Sequence, residues 1–268
     1  MTKKVVLITG ASSGIGLATA NKLHDAGYIV YGTSRREINA ETKFSFNMIQ
    51  LNVDHDDSVT AAIQKVIEKE SRIDVLINNA GFAISPAGAE ESSIAQAQAL
   101  FNTNFFGVVR MTHAVIPHMR QQGIGQIVNI SSVLGLIPMP YGALYSASKH
   151  ALEGYSESLN HELRTQGIRV TLIEPAYTKT SLDVNLLEAD QKIAHYDQIR
   201  TKMHQNMIQS IQHSDDPDVV AQTILKIIQH NNPQPRYSAG STAKNLKNLR
   251  RFTPAPLFDK LIQRTIKI

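Results

Sequence analysis

Short runs of β-branched and aliphatic residues alternate with longer amphipathic stretches along most of this chain. This alternation is typical of β-α-β units, in which a helix connects each parallel strand to the next. We therefore expect a single α/β domain over residues 1–268, built on a doubly wound parallel sheet with helices on both faces. The predicted strands are 4–9, 28–34, 48–53, 73–78, 126–131, 168–174 and, as the weakest of them, 236–239. The predicted helices are 14–26, 56–70, 93–121, 144–166 and 217–230, and residues 180–215 show a helical period without a clear place.

The composition excludes several classes of protein. With 42% hydrophobic and 19% charged residues, the chain is typical of a soluble globular protein rather than a disordered or fibrous one. It contains no cysteine, which excludes disulfides, thiolate metal sites and cysteine nucleophiles. The first apolar run, residues 5–8, is too short for the core of a signal peptide, and no run is long enough to span a bilayer. We therefore expect a cytoplasmic protein. The ten histidines show no convincing ligand spacing, so we also expect no bound metal.

The positive charge is concentrated at the C-terminus. Residues 244–268 contain seven lysines and arginines but one acid, Asp259, whereas the whole chain carries a net charge of +4. The body therefore lacks the basic face, with aromatic side chains for stacking, that a nucleic-acid-binding protein needs. Apolar residues alternate with the cations of this tail, and three interpretations remain open. We favour short helices that pack on the domain or on a partner subunit over a cover for a pocket or an interfacial membrane contact.

A glycine-rich turn follows the first predicted strand and precedes the first helix. Residues 9–16 read Thr-Gly-Ala-Ser-Ser-Gly-Ile-Gly, in the context that a dinucleotide-binding turn requires. Gly10 would permit the tight turn, Gly14 would let the backbone approach a pyrophosphate, and Gly16 would allow the helix to pack closely on the sheet. The alternative is a glycine-rich turn that binds no ligand.

The same residues also satisfy the Gly-x-Ser-x-Gly pattern of a serine hydrolase, with Ser12 as the nucleophile. In that fold the nucleophile follows several strands, one of which supplies a loop for the oxyanion hole. Only one strand precedes Ser12 here, so we reject the hydrolase.

Two arginines, Arg35 and Arg36, follow the second predicted strand, where an NAD-specific site would carry a carboxylate for the adenosine ribose. A guanidinium can pair with a 2′-phosphate in a charge-assisted contact, and a carboxylate would repel it. The sequence therefore favours NADP(H) over NAD(H). The alternative is an exposed basic loop.

Tyr145 and Lys149 are spaced i, i+4 at the start of a predicted helix, which puts the phenol and the ammonium on one helical face. A nearby cation stabilises phenolate, so we expect the pKa of Tyr145 to be lowered from about 10 toward neutral pH. Such a tyrosine can exchange protons with an alcohol. Ser131 and Ser132, at the end of the preceding strand, would lie in the same crevice and could bind the same substrate oxygen.

Four motifs, in this order and spacing, resemble those of the short-chain dehydrogenase/reductase family: the turn at 9–16, Asn-Asn-Ala-Gly at 78–81, Asn104, and Tyr145 with Lys149. The resemblance covers about residues 4–180. It implies a Rossmann-type fold with strand order 3-2-1-4-5-6-7, and a homodimer or homotetramer that assembles through the two long helices. It also implies hydride transfer between NADP(H) and a carbonyl or secondary alcohol.

The resemblance assigns a role to each residue of the reacting group. Tyr145 is the acid/base, and Lys149 holds the nicotinamide ribose and tunes the tyrosine. Ser132, which precedes the tyrosine by 13 residues as in the family, orients the substrate oxygen. Asn104 anchors a water of the proton relay.

The resemblance also implies a set of residues that contact the cofactor, among them a segment from Pro175 to Thr180 after the sixth strand. The sequence departs from the family there, since Ala176 replaces the usual glycine, and again at Asn52, which replaces a common aspartate. Whether Asn52 or Asp54 contacts adenine stays open. The implied cofactor-binding residues are Thr9, Gly10, Ser12, Ser13, Gly14, Ile15, Gly16, Arg35, Arg36, Asn52, Val53, Asn79, Ala80, Gly81, Tyr145, Lys149, Pro175, Thr178 and Thr180.

The segments expected at the pocket mouth are 82–91, 133–144 and a substrate-side segment at about 177–215. The second of these is strongly apolar, which indicates a hydrophobic ketone or alcohol. A lipid-, steroid- or retinoid-like substrate follows only by analogy with relatives. The main alternative is a nonenzymatic NADP(H)-binding regulator, for which a tuned tyrosine would have no use. Epimerase or dehydratase chemistry is disfavoured because the glycine pattern and the larger substrate domain of such relatives are absent.

Overall fold

The computed structural model describes residues 3–38, 43–179 and 186–266. Its centre is a seven-stranded parallel sheet in the order β3-β2-β1-β4-β5-β6-β7, which confirms the predicted Rossmann-type topology. All seven predicted strands are present, although the third begins one residue earlier than predicted and ends at Gln50 rather than at residue 53. The strands are β1 Val5–Ile8, β2 Ile29–Ser34, β3 Asn47–Gln50, β4 Val75–Asn78, β5 Gly125–Ile130, β6 Ile168–Pro175 and β7 Arg236–Ala239.

Helices connect the strands and continue past the last of them. The predicted helix at 93–121 is interrupted by a π-helical turn, Asn102–Phe106. The described part of the segment 180–215 contains the α-helix Asp197–Gln212, preceded by a 3-10 turn, Ala194–Tyr196. The basic tail forms two short helices, as the favoured interpretation of its sequence predicted. The helices are α1 Gly14–Asp25, α2 Asp56–Glu70, α3 Ile94–Phe101, α4 Gly107–Gln122, α5 Ala143–Leu163, α6 Asp197–Gln212, α7 Pro217–Gln229, α8 Ser241–Phe252 and α9 Ala255–Ile266.

The sheet is covered on both faces, which explains the continuous apolar runs of its central strands. Successive side chains of a strand point to opposite faces, so a strand buried on both sides is apolar along most of its length. In β1, Val5 and Leu7 belong to a core cluster with residues of α2, α4 and α5. Val6 and Ile8 belong to a second cluster with residues of α1 and α7.

Because the sheet is parallel, the carboxyl ends of its strands meet along one edge. β1, β4 and β5 are neighbours in the sheet, and Ile8 of β1 pairs with Ile77 of β4, which pairs with Val128 of β5. The residues that directly follow these strands therefore lie side by side. In doubly wound sheets this edge is where ligands bind.

The tail helices pack on the domain beside this edge. α8 contacts β7 and the turn Val133–Gly135, with Ala243 fully buried, and α9 buries Phe258. No helix within the described part of the chain is both long and apolar enough to cross a bilayer.

Candidate active site

The turn after β1 has a backbone that only glycine fits at two positions. Gly10 has a φ of +66°, in the left-handed region, and a side chain there would lie 3.0 Å from the Cα of Ala80. A Cβ on Gly16 would lie 2.2 Å from the carbonyl oxygen of Gly10 and 2.5 Å from the side-chain nitrogen Nδ2 of Asn79. The first turn of α1 therefore packs against the glycine-rich turn and the end of β4. This close contact requires glycine at position 16, in addition to the predicted packing of the helix on the sheet.

Thr9 and Asn79 fasten the ends of β1 and β4 together. The Thr9 hydroxyl accepts hydrogen bonds from the backbone N–H groups of Asn79 and Ala80, each at 2.9 Å. The Asn79 side chain donates to the carbonyl oxygens of Thr9 and Gly10, both at 2.9 Å. Both side chains thus shape the wall of the crevice.

The amino end of α1 opens into this crevice. Ser12 and Ser13 are exposed, and the Ser13 side chain makes no capping bond to the helix. The first N–H groups of a helix have no partner within it and carry partial positive charge. The N–H groups near Gly14, Ile15 and Gly16 can therefore bind a phosphate.

Arg35 and Arg36 are exposed directly after β2. The Arg36 backbone N–H donates to the Ser34 hydroxyl at 3.1 Å, which orders the start of this loop. Neither arginine forms an ion pair with another described residue. Both guanidinium groups are thus placed at the end of β2 where an anionic group of a ligand can reach them.

The segment after β3 presents Asn52 to the crevice and uses Asp54 internally. The Asp54 carboxylate accepts a hydrogen bond from the Thr103 hydroxyl at 2.8 Å, and the Asp54 backbone N–H donates to the Asn52 side-chain oxygen at 3.2 Å. Val53 is buried against Gly107 of α4. Within the described ranges, the side-chain NH₂ of Asn52 donates no hydrogen bond to the protein, whereas Thr103 engages the Asp54 carboxylate, and a contact of either residue with adenine stays a prediction.

Ser132, Tyr145 and Lys149 come together where β5 ends and α5 begins. The Ser132 hydroxyl contacts the Tyr145 phenol, and it also accepts a hydrogen bond from the Leu134 backbone N–H at 3.1 Å. The Lys149 ammonium lies 5.7 Å from the centre of the Tyr145 ring. Ser131, by contrast, faces Glu153 on the other side of the extended backbone, as alternation along an extended chain requires.

The pKa of Tyr145 differs from the expectation. The pKa is raised to about 12, mainly because the phenol is buried. A hydrogen bond from Ser132 acts in the opposite direction, and nearby Tyr177 contributes to the increase. Burial also lowers the pKa of Lys149 to about 8, although Glu153 acts in the opposite direction. The predicted lowering of the phenol pKa toward neutrality is therefore wrong for the protein alone. The same burial that disfavours phenolate weakens the cation that should stabilise it.

Asn104 lies in the π-helical turn between α3 and α4, a feature often found at functional sites. Its side-chain oxygen accepts from the Phe82 N–H at 3.0 Å, and its NH₂ donates to the Phe82 carbonyl at 2.9 Å. The same NH₂ lies 3.4 Å from the Ser148 hydroxyl. The side chain thus positions Phe82 at the start of the pocket mouth, and the role of Asn104 as the anchor of a relay water stays a prediction.

The segment after β6 is described as far as Lys179. Pro175 is the buried last residue of β6, and the Thr178 hydroxyl donates to the Ala176 carbonyl at 3.2 Å. Lys179 is held by a backbone hydrogen bond to Asp215 at 2.9 Å. Thr180, also expected to contact the cofactor, lies outside the described residues.

The sequence did not predict a buried ionic cluster near Lys149, which consists of Glu153, Glu174, Arg236 and Lys247. Glu153 of α5 and Glu174 of β6 are 4% and 0% exposed. Arg236 of β7 donates to Glu153 at 2.9 Å, and Lys247 of α8 donates to Glu174 at 2.9 Å. In the sequence, Glu153 cannot be distinguished from a solvent-exposed glutamate, because its position one helical turn after Lys149 does not show that it is buried.

Another buried acid, Glu91, connects the pocket mouth to α6. Glu91 is fully buried, and its carboxylate accepts from the backbone N–H groups of Gly88 at 2.7 Å and Ile193 at 2.9 Å. It also pairs with Arg200 of α6. Burial alone would raise the pKa of Glu91, but these two N–H groups and the guanidinium hold it below its ordinary value.

A Rossmann-type sheet with a glycine-rich turn and a Ser-Tyr-Lys group at its carboxyl edge defines a class, the nicotinamide-dependent oxidoreductases. The sequence matches the short chain dehydrogenase family over residues 4–191. This chain belongs to that family.

Relatives and solved structures agree with the assignment. The 3-ketodihydrosphingosine reductase of Bacteroides thetaiotaomicron is 44% identical over 185 residues, which cover 69% of this chain and 68% of that protein. The oxidoreductase YbbO of Escherichia coli K12 is 33% identical over 266 residues, covering 97% and 94%. A short-chain dehydrogenase from Streptomyces avermitilis is 29% identical, with a TM-score of 0.81 over 100% of both chains. Some solved neighbours hold NADP or NADPH and others hold NAD or NADH, so the fold leaves the choice of cofactor open.

Proposed function

We propose that this enzyme transfers a hydride between NADP(H) and a carbonyl or secondary alcohol of a hydrophobic substrate. The observation that carries the proposal is the meeting of Ser132, Tyr145 and Lys149 beside the glycine-rich turn. The turn also fits a dinucleotide, because the first N–H groups of α1, which the Ser13 side chain does not cap, can bind a phosphate there.

The bound cofactor would supply the hydride, and the residues of this chain would handle the proton. Ser132 donates a hydrogen bond to the substrate oxygen, which orients the carbonyl and polarises it. Tyr145 then gives its proton to that oxygen as negative charge develops there. With a pKa of about 12, the phenol is protonated at neutral pH and is therefore prepared to act as the acid in the reductive direction.

Lys149 would bind the nicotinamide ribose while it stays near the phenol. Its ammonium has three donors, and one is used on the Ile130 carbonyl at 2.9 Å. The others can meet ribose hydroxyls. In the oxidative direction its positive charge favours the phenolate that accepts a proton from the alcohol.

The preference for NADP(H) rests on Arg35 and Arg36. Both are exposed at the end of β2, and neither is paired within the described residues. A 2′-phosphate at this place would make a charge-assisted contact with one or both guanidinium groups.

The proposed substrate class rests on the apolar mouth of the site. A small cavity with Tyr145 in its wall lies between residues 84–92 and 141–145, and the apolar side chains of Ile84, Ala87 and Leu144 line it. The relative from Bacteroides is named for reduction of a long-chain lipid ketone, which supports a lipid-like ketone here.

We also propose a homodimer or homotetramer. The outer side of α3 and the π-helical turn exposes two large apolar side chains, Ile94 at 75% and Phe106 at 50%, and a shallow groove lies between them. Exposed apolar patches of this kind mark contacts with other proteins. Light scattering after size-exclusion chromatography tests this, with Phe106→Ser as the variant expected to weaken the assembly.

The experiment that tests the enzymatic proposal is oxidation of NADPH with ketones graded from small and polar to long and apolar. We expect turnover that improves with the apolar length of the ketone, and faster turnover with NADPH than with NADH. A protein that binds NADPH tightly and turns over no ketone or alcohol would instead be the nonenzymatic regulator, which is the second candidate function.

A further inference from the structure

The C-terminal helix pair α8–α9 has one side on the domain and one side open. On the inner side, Ala243 is fully buried, Phe258 is 6% exposed, and Lys247 is bound to Glu174. On the outer side, Leu249 is 41%, Phe252 75% and Leu257 53% exposed. Three of the eight large apolar side chains that are exposed in the described chain therefore lie within this one short stretch.

The charge around these apolar side chains is mainly positive, with exposed Asp259 of α9 as the one acid between residues 219 and 266. No aspartate or glutamate occurs between residues 219 and 258. Arg250 lies over the Phe258 ring, 4.8 Å from its centre, and Arg251 lies over the Phe252 ring at 5.6 Å. Exposed basic side chains surround the apolar ones along both helices: Lys244, Arg250, Arg251, Lys260 and Arg264.

We propose that the outer side of α8–α9 docks on the surface of an anionic lipid bilayer. Helices that lie in a bilayer interface combine exposed Phe and Leu, which enter the acyl boundary, with Lys and Arg, which meet anionic headgroups. The apolar triad Leu249, Phe252 and Leu257, with its surrounding cations, has this chemistry.

The position of α8–α9 beside the site is consistent with docking on a bilayer. α8 contacts the turn Val133–Gly135, which directly follows Ser132. A bilayer beneath α8–α9 would therefore lie beside the apolar mouth of the site. The docking does not depend on the proposed function, but together they would let an apolar substrate enter from the membrane.

Vesicle flotation of the full-length protein tests the docking. The lipids are phosphatidylcholine alone and phosphatidylcholine mixed with phosphatidylglycerol. We expect flotation with the mixed vesicles only, and loss of flotation at high salt, because the cations act through a screened field. Flotation that is equal on both kinds of vesicle, or absent from both, overturns the proposal.

Matched variants distinguish vesicle binding through the tail from nonspecific binding through any exposed apolar side chain. Leu257 and Ile124 are 53% and 51% exposed, and Ile124 directly precedes β5, at the end of that strand opposite to the turn Val133–Gly135 that α8 contacts. Leu257→Ser and Phe252→Ser should each weaken binding to mixed vesicles by about tenfold, whereas Ile124→Ser should leave it unchanged.

Light scattering on the same variants distinguishes a bilayer from a second copy of the chain. If Phe252→Ser splits a wild-type oligomer while vesicle binding stays unchanged, the outer side is a subunit interface and the proposal fails. An unchanged oligomeric state together with weakened flotation supports it. NADPH turnover in detergent-free buffer should be unchanged in these variants, which keeps this test separate from the enzymatic one.

Discussion

The ammonium of Lys149 donates a hydrogen bond to the main-chain carbonyl of Ile130 at 2.9 Å. This bond fixes the first turns of α5 on the end of β5, the strand whose continuation carries Ser132. The distance between the tyrosine and the serine is therefore set by secondary structure and by one buried cation.

The burial of Lys149 predicts a pH dependence of stability. Its pKa is about 8 in the folded protein and 10.5 in its unperturbed state, so between these values the unfolded chain holds a proton that the folded protein has lost. Raising the pH through this window must therefore stabilise the fold. The Lys149→Met variant lacks this gain. Urea denaturation from pH 8 to 10.5 should show wild type gaining about 3 kcal/mol relative to the variant. Parallel stability curves would refute the assignment.

The guanidinium groups after β2 predict a change in cofactor preference. Arg36→Glu places a carboxylate where the 2′-phosphate is expected, so it should raise the KM for NADPH about tenfold to a hundredfold. The KM for NADH should change little, because NADH has no phosphate there. Steady-state kinetics with both cofactors measure this. The conservative variant Arg36→Lys should retain most of the NADPH preference, and an equal effect of Arg36→Glu on both cofactors would contradict the assignment.

The glycine-rich turn predicts that one methyl group is enough to disrupt the cofactor site. Gly16→Ala puts a carbon 2.2 Å from the Gly10 carbonyl oxygen, which forces the turn and α1 apart. NADPH binding, followed by its fluorescence, should be lost or weakened more than tenfold. Gly154→Ala is the matched control, since its Cβ meets nothing within 4 Å in the middle of α5. It should keep NADPH affinity and gain up to about 1 kcal/mol of stability.

The buried ion pair between α8 and β6 predicts coupling between two substitutions. Lys247→Met removes the partner at 2.9 Å from a fully buried Glu174, while Arg236 remains 3.6 Å from that carboxylate. The variant should lose about 2 kcal/mol of unfolding free energy. Adding Glu174→Gln should recover part of the loss, because no buried charge is then left unpaired. Additive losses in the double variant would show that the two residues do not interact.

Much of the fold follows from local pattern. β1 is fully apolar and β4 and β5 are mostly so, and turn residues bound all three, so these strands and their burial could be predicted. The end of β3 could not, because Leu51 and Val53 are apolar but buried as part of a loop, and apolar character alone does not distinguish a strand from a packed loop. The π-helical turn at Asn104 also escaped prediction, since its sequence continues a helical period.

The site was predicted as a set of residues but not as an electrostatic environment. The spacing of Tyr145 and Lys149 placed them on one helical face, whereas their pKa values depend on burial that no spacing shows. Glu174 and Lys247 are far apart in sequence, and they pair only because α8 packs on the end of the sheet. Long-range pairs of this kind need the tertiary structure.

The most direct test of the central claim compares wild type with Tyr145→Phe for oxidation of NADPH by a long-chain apolar ketone. The variant keeps the ring and loses the proton donor, so we expect turnover to fall by about 10²–10⁴-fold while NADPH fluorescence still reports tight binding. A variant that retains most of its turnover would contradict the role of Tyr145, and with it the proposed mechanism.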